Sequence, residues 1–131
     1  MPVQGLGVDI IQVSRIEEAI TRYGNRFLNR VFTPEEQQFC ENVARSKQRY
    51  QRYAALWACK EAVMKALGTG ARRGVYFRVI EILHKPTGEP MVNLSEGALE
   101  QLVELGCNKV MVSMSHDGDV VAAAALVMYQ D

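Results

Sequence analysis

The thirteen residues Trp57–Thr69 constrain the fold of this chain more than any other segment. They are rich in helix-forming residues, and the helix is expected to end at Gly68, a residue type that often terminates helices. Within them Glu61 and Lys65 are four residues apart, so a helix would present both side chains on one face. Such a pair is often a surface ion pair worth about 0.2–0.5 kcal/mol. Alternatively, the carboxylate binds a hard metal ion and the lysine neutralises a phosphate oxygen.

The chain has 131 residues, of which 48% are hydrophobic, and this predicts a single domain over residues 1–131 with a buried core. Its three cysteines are odd in number and lack CxxC spacing, so we expect neither a disulfide framework nor a zinc site of familiar spacing. This cysteine usage favours a cytoplasmic protein. We also expect no signal peptide, because the N-terminus lacks a basic flank and a long apolar region. No membrane span is expected, because no apolar run approaches about 20 residues.

Charge is unevenly distributed, although the formal net charge is zero. Residues 1–73 contain 12 Lys/Arg and 7 Asp/Glu, whereas residues 74–131 contain 3 and 8. The basic half either is an ordinary solvated surface or attracts an acidic partner or a phosphorylated ligand. Its excess charge is too small, and too interrupted by acids, to favour nucleic acid as the partner.

The order of periodic segments predicts an α+β fold, in which helices, including one long motif helix, pack on an antiparallel sheet. The residues at 45–52 either form a loop or belong to the first turns of the long helix. In chain order we predict a strand at 3–13, three helices at 14–24, 27–31 and 33–44, and then the long motif helix, which ends at 68. After it we predict strands at 75–83 and 91–94, a helix at 95–105, and a hairpin of strands 110–116 and 120–129.

Two segments match the capping box, in which a Ser or Thr and a Glu three residues later satisfy backbone N–H groups at a helix start. They are Ser14–Glu17 and Thr33–Glu36. We therefore expect helices to begin at both, and the first to be interrupted at Gly24. Asp117 and Gly118 are expected to form the turn of the last hairpin.

Asp9 stands in the opening strand between Val8 and Ile10, where an acidic residue is unusual. Strand alternation offers one explanation, with the side chain directed to solvent. The other is that Asp9 and Glu61 converge on one divalent cation. Two carboxylates with open water positions suit magnesium, which commonly bridges protein to substrate phosphates.

A series of arginines follows the opening strand at spacings of seven, four and four residues. If the helices are roughly continuous, these arginines lie on one side and either are simply solvated or form a docking stripe for an acidic helix. Glu17 and Glu18 are expected elsewhere on the helical wheel. The four residues are Arg15, Arg22, Arg26 and Arg30.

The segment Ser113–Asp117 ends the penultimate strand, and within it His116 is in register with the apolar residues Val110, Val112 and Met114. It is either a histidine at the edge of the core or a contact for a phosphate or base. The adjacent Ser, His and Asp do not indicate a hydrolase triad, because triad members come from separate elements and no GxSxG elbow is present.

Two motifs together resemble the paired signature of the 4′-phosphopantetheinyl transferases. They read Gly7-Val-Asp9 followed by Arg15-Ile16, and Trp57-x-x-Lys60-Glu61-Ala62-x-x-Lys65-Ala66-x-Gly68. The short length, the continuation Gly68-Thr-Gly70 and the turn Gly88-Glu-Pro90 are similar to the holo-acyl-carrier-protein synthase type. The resemblance extends over essentially the whole chain.

The resemblance implies a 4′-phosphopantetheinyl transferase fold and transfer of 4′-phosphopantetheine from coenzyme A to a serine of apo-acyl carrier protein. The by-product would be adenosine 3′,5′-bisphosphate, and the reaction would serve fatty acid biosynthesis. The family also implies magnesium as cofactor and a homotrimer with active sites at subunit interfaces.

The same resemblance assigns roles to individual residues. Asp9 and Glu61 would be magnesium ligands and, with Lys65, the catalytic residues; Glu61, or a water that it orients, is the candidate base. The expected coenzyme A contacts are Lys65, His116, Gly68 and Gly70, and the expected carrier-protein contacts are Arg15, Arg22 and Arg26.

One departure from the family pattern is Leu56, where relatives often carry arginine before the motif aromatic. We expect the missing phosphate contact to shift to Arg52 or Arg49. Two other functions are weighed against the transferase. One is an adaptor that binds the carrier protein without chemistry, and the other is a metal-dependent phosphohydrolase that uses water in place of a protein serine.

Overall fold

The computed structural model describes residues 2–131. Its central contact is the packing of one long helix on glycines of the first strand. The elements, in chain order, are β1 (Val3–Gln12), α1 (Val13–Tyr23), α2 (Asn25–Val31), α3 (Pro34–Glu41), α4 (Ser46–Leu67), a short 3-10 helix (Phe77–Val79), β2 (Ile80–His84), β3 (Pro90–Leu94), α5 (Glu96–Glu104), β4 (Lys109–Asp117) and β5 (Val120–Met128). The α+β prediction is confirmed.

The strands divide between two antiparallel sheets, where the sequence predicted one. The larger sheet has the order β1-β5-β4, and β2 pairs only with β3. In the larger sheet Asp9 is opposite Ala123, and Ala123 is opposite Met114. Because strand residues alternate between faces, Asp9 shares the face of Gly5 and Gly7, which α4 covers.

The backbone of α4 lies directly on the backbone of β1. A methyl group at Gly7 would overlap the carbonyl oxygen of Ala62, and one at Gly5 would overlap that of Ala66. Only glycine lets a strand and a helix approach this closely. The predicted end of this helix is confirmed, since Gly68 is its C-cap in the left-handed conformation at φ 81°.

A buried ion pair ties α4 to α3 and β2. Lys60 Nζ lies 2.8 Å from a carboxylate oxygen of Glu36, and both side chains are fully buried. The same ammonium donates to the carbonyl oxygens of Phe77 at 2.8 Å and Ile80 at 2.6 Å. The second oxygen of Glu36 accepts from the Ile82 N–H at 2.8 Å. Burial lowers the pKa of Lys60, and Glu36 opposes that effect. The sequence analysis gave this lysine no role.

The predicted capping box at Ser14–Glu17 is wrong. Helix α1 begins at Val13, and its N-cap residue Gln12 makes no side-chain capping bond. Ser14 instead lies in the first turn and bonds to Asp119, a residue from the distant β4–β5 turn. A tertiary contact therefore replaces the local cap.

The second capping box is confirmed. The Glu36 N–H donates to Thr33 Oγ1 at 3.3 Å, and the Thr33 N–H donates to Glu36 Oε1 at 2.8 Å. Helix α3 then ends at Glu41, short of the predicted residue 44, and residues 46–52 belong to α4. The interruption at Gly24 is also confirmed.

Two strand boundaries differ from the prediction. Residues 75–79 do not form a strand, because the Phe77 carbonyl is bound by Lys60 and a 3-10 helix forms instead. In the last hairpin Asp117 is still paired, with Val120, so the turn consists of Gly118 and Asp119. Among residues 2–131, no helix is both long and apolar enough to cross a membrane.

We predict that Lys60→Met and Glu36→Gln each destabilise the fold by about 3–5 kcal/mol, because each leaves the other partner of a buried pair uncompensated. The double variant should lose less than the sum of the two single losses, since no unpaired charge then remains. Urea denaturation of the four proteins measures this coupling. Additive losses would show that the pair does not act as a unit.

Candidate active site

Asp9, Glu61 and Lys65 come together where α4 crosses β1. Lys65 Nζ lies 3.2 Å from an Asp9 carboxylate oxygen and donates to the Val8 carbonyl oxygen at 2.9 Å. The Asp9 side chain is only 16% exposed, whereas that of Lys65 is 52% exposed. The solvent-directed alternative for Asp9 is therefore wrong, because the carboxylate lies on the helix-covered face and is paired there.

Glu61 is a residue of this cluster with a clearly shifted pKa. Its pKa is raised, chiefly because the carboxyl is partly buried and further because the Asp9 carboxylate is close; Lys65 opposes the shift. Two carboxylates thus share one small region with a single ammonium. A divalent cation placed between them would relieve this repulsion.

The donor set fits magnesium. Asp9 and Glu61 offer carboxylate oxygens, and magnesium commonly takes one or two carboxylates and completes its shell with water and phosphate oxygens. Within the described residues 2–131, no group of three or more His, Cys, Asp or Glu side chains surrounds a possible metal position. A metal ion held by the two carboxylates alone would keep several positions open for a substrate.

The glycines after α4 adopt the backbone conformations that this turn requires. Gly68 and Gly70 have φ values of 81° and 58°. Gly68 borders a cavity of about 190 Å³ together with Thr69, Arg72, Arg73 and Gln101. The two arginines could bind an anionic group, and the sequence analysis did not single them out. Their position directly after the glycine motif was the available signal.

His116 is not part of this cluster. It is exposed on β4, opposite Val121, which in turn pairs with Ile11 of β1. Two strand spacings, or about 10 Å, therefore separate it from β1. The interpretation of His116 as a core-edge residue is wrong because the side chain is exposed, and its contact with a phosphate stays a prediction.

The arginines on the first helix lie beside an acidic and an aromatic side chain. Arg15 and Arg22 border a shallow cavity of about 220 Å³ together with Glu18 and Tyr23. The Arg22 guanidinium lies 5.5 Å from the centroid of the Tyr23 ring. The expectation that Glu18 lies elsewhere on the wheel is wrong, because residues three and four apart on a helix are neighbours.

The four arginines also do not belong to one continuous helix. Gly24 separates α1 from α2 with φ 58° and ψ −136°, so Arg26 and Arg30 follow a change of chain direction. All four are exposed. Their action as one stripe stays a prediction.

The proposed substitutes for the missing arginine at Leu56 are engaged elsewhere. Leu56 is buried. Arg49 pairs with Glu41 at 2.7 Å, and Arg52 donates to the Phe39 carbonyl oxygen at 2.6 Å. A phosphate contact from either arginine stays a prediction.

The comparison with protein families shows the family of the chain. Residues 5–125 match the model of the 4′-phosphopantetheinyl transferase superfamily. The chain belongs to this superfamily. The predicted family is confirmed, and the two motifs lie on the elements that bring Asp9 to Glu61 and Lys65.

Individual superfamily members are similar over almost their whole length. A holo-[acyl-carrier-protein] synthase of Solidesulfovibrio magneticus is 40% identical over 125 residues, which cover 95% of this chain and 98% of the relative. The corresponding synthase of Ruminiclostridium cellulolyticum is 44% identical over 126 residues, covering 96% and 92%.

Solved structures of superfamily members have the same fold. The synthase from Neisseria meningitidis superposes with a TM-score of 0.85 at 34% identity, covering 95% of this chain and 98% of that one. The Helicobacter pylori synthase in complex with coenzyme A gives a TM-score of 0.80 at 30% identity, covering 93% and 98%. The predicted 4′-phosphopantetheinyl transferase fold is confirmed.

We predict that Glu61→Gln stabilises the protein at pH 7–8 in metal-free buffer. A carboxyl with a raised folded-state pKa favours folding while protonated, and this contribution is lost as the pH rises through the folded-state pKa. The variant's advantage should therefore disappear below about pH 4, where the carboxyl is protonated in both states. Urea denaturation between pH 4 and pH 8 measures it.

The matched control is Glu100→Gln, which neutralises an exposed glutamate on α5. Its stability relative to the wild type should change little over this pH range. If both variants followed the same pH dependence, the partial burial of Glu61 beside Asp9 would not be the cause.

Proposed function

We propose that this chain transfers 4′-phosphopantetheine from coenzyme A to a serine of apo-acyl carrier protein. The products are holo-acyl carrier protein and adenosine 3′,5′-bisphosphate, and the pathway served is fatty acid biosynthesis. The predicted enzyme class is confirmed by relatives known as holo-[acyl-carrier-protein] synthases over nearly the full chain. The observation that carries the proposal is the Asp9–Glu61–Lys65 cluster within that match.

The cluster supports phosphoryl transfer by charge neutralisation and positioning. Asp9 and Glu61 would hold magnesium, which when bound supplies positive charge to the pyrophosphate of coenzyme A. Lys65 is half exposed, and its ammonium can turn from Asp9 to a phosphate oxygen. Glu61 has a raised pKa, which suits a base that accepts the serine proton directly or through a water.

The exposed arginines support recognition of an acidic carrier protein. Arg15 and Arg22 border one shallow cavity on α1, and Arg26 follows on α2. Opposite charges on the partner would steer encounter, and the benefit should fall as salt is added. The segment ending at Gly70 and the strand end at His116 remain the proposed coenzyme A contacts outside the cluster.

The open face of the larger sheet supports the proposed homotrimer. Leu6, Val8 and Ile10 alternate with the helix-covered residues of β1 and are 65%, 56% and 68% exposed. Met111 on β4 is 48% exposed. Large exposed apolar patches are typical of protein interfaces.

We retain the cytoplasm as the proposed compartment because of the cysteine usage.

Intact mass spectrometry tests the activity. Apo-acyl carrier protein incubated with this protein, coenzyme A and magnesium should gain about 340 Da, the mass of one phosphopantetheine on serine. EDTA should abolish the gain, and Glu61→Gln should slow it by a factor of at least about 10³ because metal and base are both impaired. Glu100→Gln should retain wild-type transfer.

Other outcomes of that assay identify the rival functions. Consumption of coenzyme A without any gain in carrier-protein mass would favour a phosphohydrolase. Saturable binding of the carrier protein without consumption would favour an adaptor. Near-wild-type transfer by Glu61→Gln would refute the assigned role of that carboxylate.

Light scattering tests the trimer. Ile10→Asp should shift the protein from trimer to monomer, because it buries a charge in the proposed apolar interface. The matched control is Val103→Asp on α5, since Val103 is 66% exposed but lies outside the sheet face. A monomeric wild type, or equal effects of the two substitutions, would contradict the proposed interface.

A further inference from the structure

Helix α1 has no cap of its own. Its N-cap residue Gln12 makes no side-chain capping bond, and the first turn contains no acidic residue. The first N–H groups of a helix have no partner within it and need one from outside. Here the helix follows β1 directly, so no loop residue is available to provide that partner.

Asp119 supplies the missing partner from the turn between β4 and β5. Its carbonyl oxygen accepts from the Val13 N–H at 2.7 Å. Its carboxylate accepts from the Ser14 N–H at 3.0 Å and from the Ser14 hydroxyl at 2.7 Å. A carboxylate at this end also interacts favourably with the helix dipole.

The cap joins parts of the chain that are 105 residues apart. It connects the start of α1 to the hairpin whose β5 strand pairs with β1, the strand that carries Asp9. This contact therefore helps to set the direction of α1 relative to the catalytic cluster, together with the buried core residues Ile16 and Ile20. Arg22 lies seven residues beyond Arg15, or about 10 Å along the helix, so a tilt at the capped end displaces it most.

We propose that Asp119 is a positioning residue for the carrier protein. It holds α1 at the angle at which Arg15 and Arg22 meet an acidic partner while the partner's serine reaches the Asp9–Glu61–Lys65 cluster. This inference rests on the proposed transferase function. Asp119 itself contacts neither the cluster nor the arginine cavity in the described contacts of residues 2–131.

A role of Asp119 through its charge and a role through the position of α1 predict opposite effects of Asp119→Ala on the affinity for the carrier protein. Removing a negative charge near a basic docking helix would, by charge alone, strengthen the attraction of an acidic partner. Loss of the two carboxylate bonds to Ser14 should weaken docking instead, while the Val13 N–H keeps its backbone acceptor. Asp117 is the matched control, because it is an exposed aspartate two residues earlier in the same hairpin and makes no hydrogen bond to α1 among residues 2–131.

A second alternative is a direct contact of Asp119 with coenzyme A. Asp119 borders a cavity of about 460 Å³ that also includes Lys47 and Tyr50. A role there would alter the KM for coenzyme A. The positioning role alters the KM for the carrier protein and leaves the KM for coenzyme A unchanged.

Steady-state kinetics with each substrate varied in turn tests the proposal on the full-length protein. Asp119→Ala should raise the KM for apo-acyl carrier protein roughly tenfold, with kcat and the KM for coenzyme A within about twofold of wild type. Asp119→Asn keeps an oxygen that can accept from the Ser14 N–H and should recover most of the loss. Ser14→Ala removes only the hydroxyl bond and should give a smaller increase. Circular dichroism verifies that each variant is folded.

Asp117→Ala should leave the carrier-protein KM unchanged or lower it. The proposal is overturned if Asp119→Ala lowers that KM, if it matches Asp117→Ala, or if the KM for coenzyme A changes instead. If Asp119→Ala fails to fold, Ser14→Ala alone decides, and an unchanged carrier-protein KM in that variant overturns the proposal. A wild type without transfer activity would refute the proposed function and this inference with it.

Discussion

The close approach of α4 to β1 is the constraint on which the rest of the structure depends. Gly5 and Gly7 leave no side chain between strand and helix, and the carbonyl oxygens of Ala62 and Ala66 occupy the space that a methyl group would need. The same contact brings Asp9 of the strand beside Lys65 of the helix. A larger residue at Gly7 would therefore alter the core and the candidate active site together.

Two adjacent residues of α4 show how burial decides the role of a charge. Lys60 is fully buried, is paired with Glu36 and bonds two backbone carbonyls, so it connects α3, α4 and the start of β2. Glu61 is partly buried beside a second carboxylate, and its raised pKa records the cost of that placement. The Lys60–Glu36 ion pair thus stabilises a helix that also holds the Glu61 carboxylate in an unfavourable position beside Asp9. Such a compromise between stability and function is common at functional sites.

Local signals predicted much of the fold and part of the site. The Thr33 capping box and the Gly68 C-cap could be predicted because both depend on residues within a few positions of one another. The Ser14 box failed because a residue from a distant turn provides better acceptors for the same groups. Lys60 was missed for a related reason: nothing near it in the sequence indicates that Glu36 and two carbonyls will enclose it.

The sequence by itself determined the family, the α+β class and the identities of the cluster residues, because motif spacing and periodicity are local properties. Only the tertiary structure decided that Asp9 is paired and not solvated and that His116 lies two strands away from β1. It also decided that Asp119 caps the first helix. These outcomes depend on which distant segments pack together, and the free energy of that packing is a property of the whole chain.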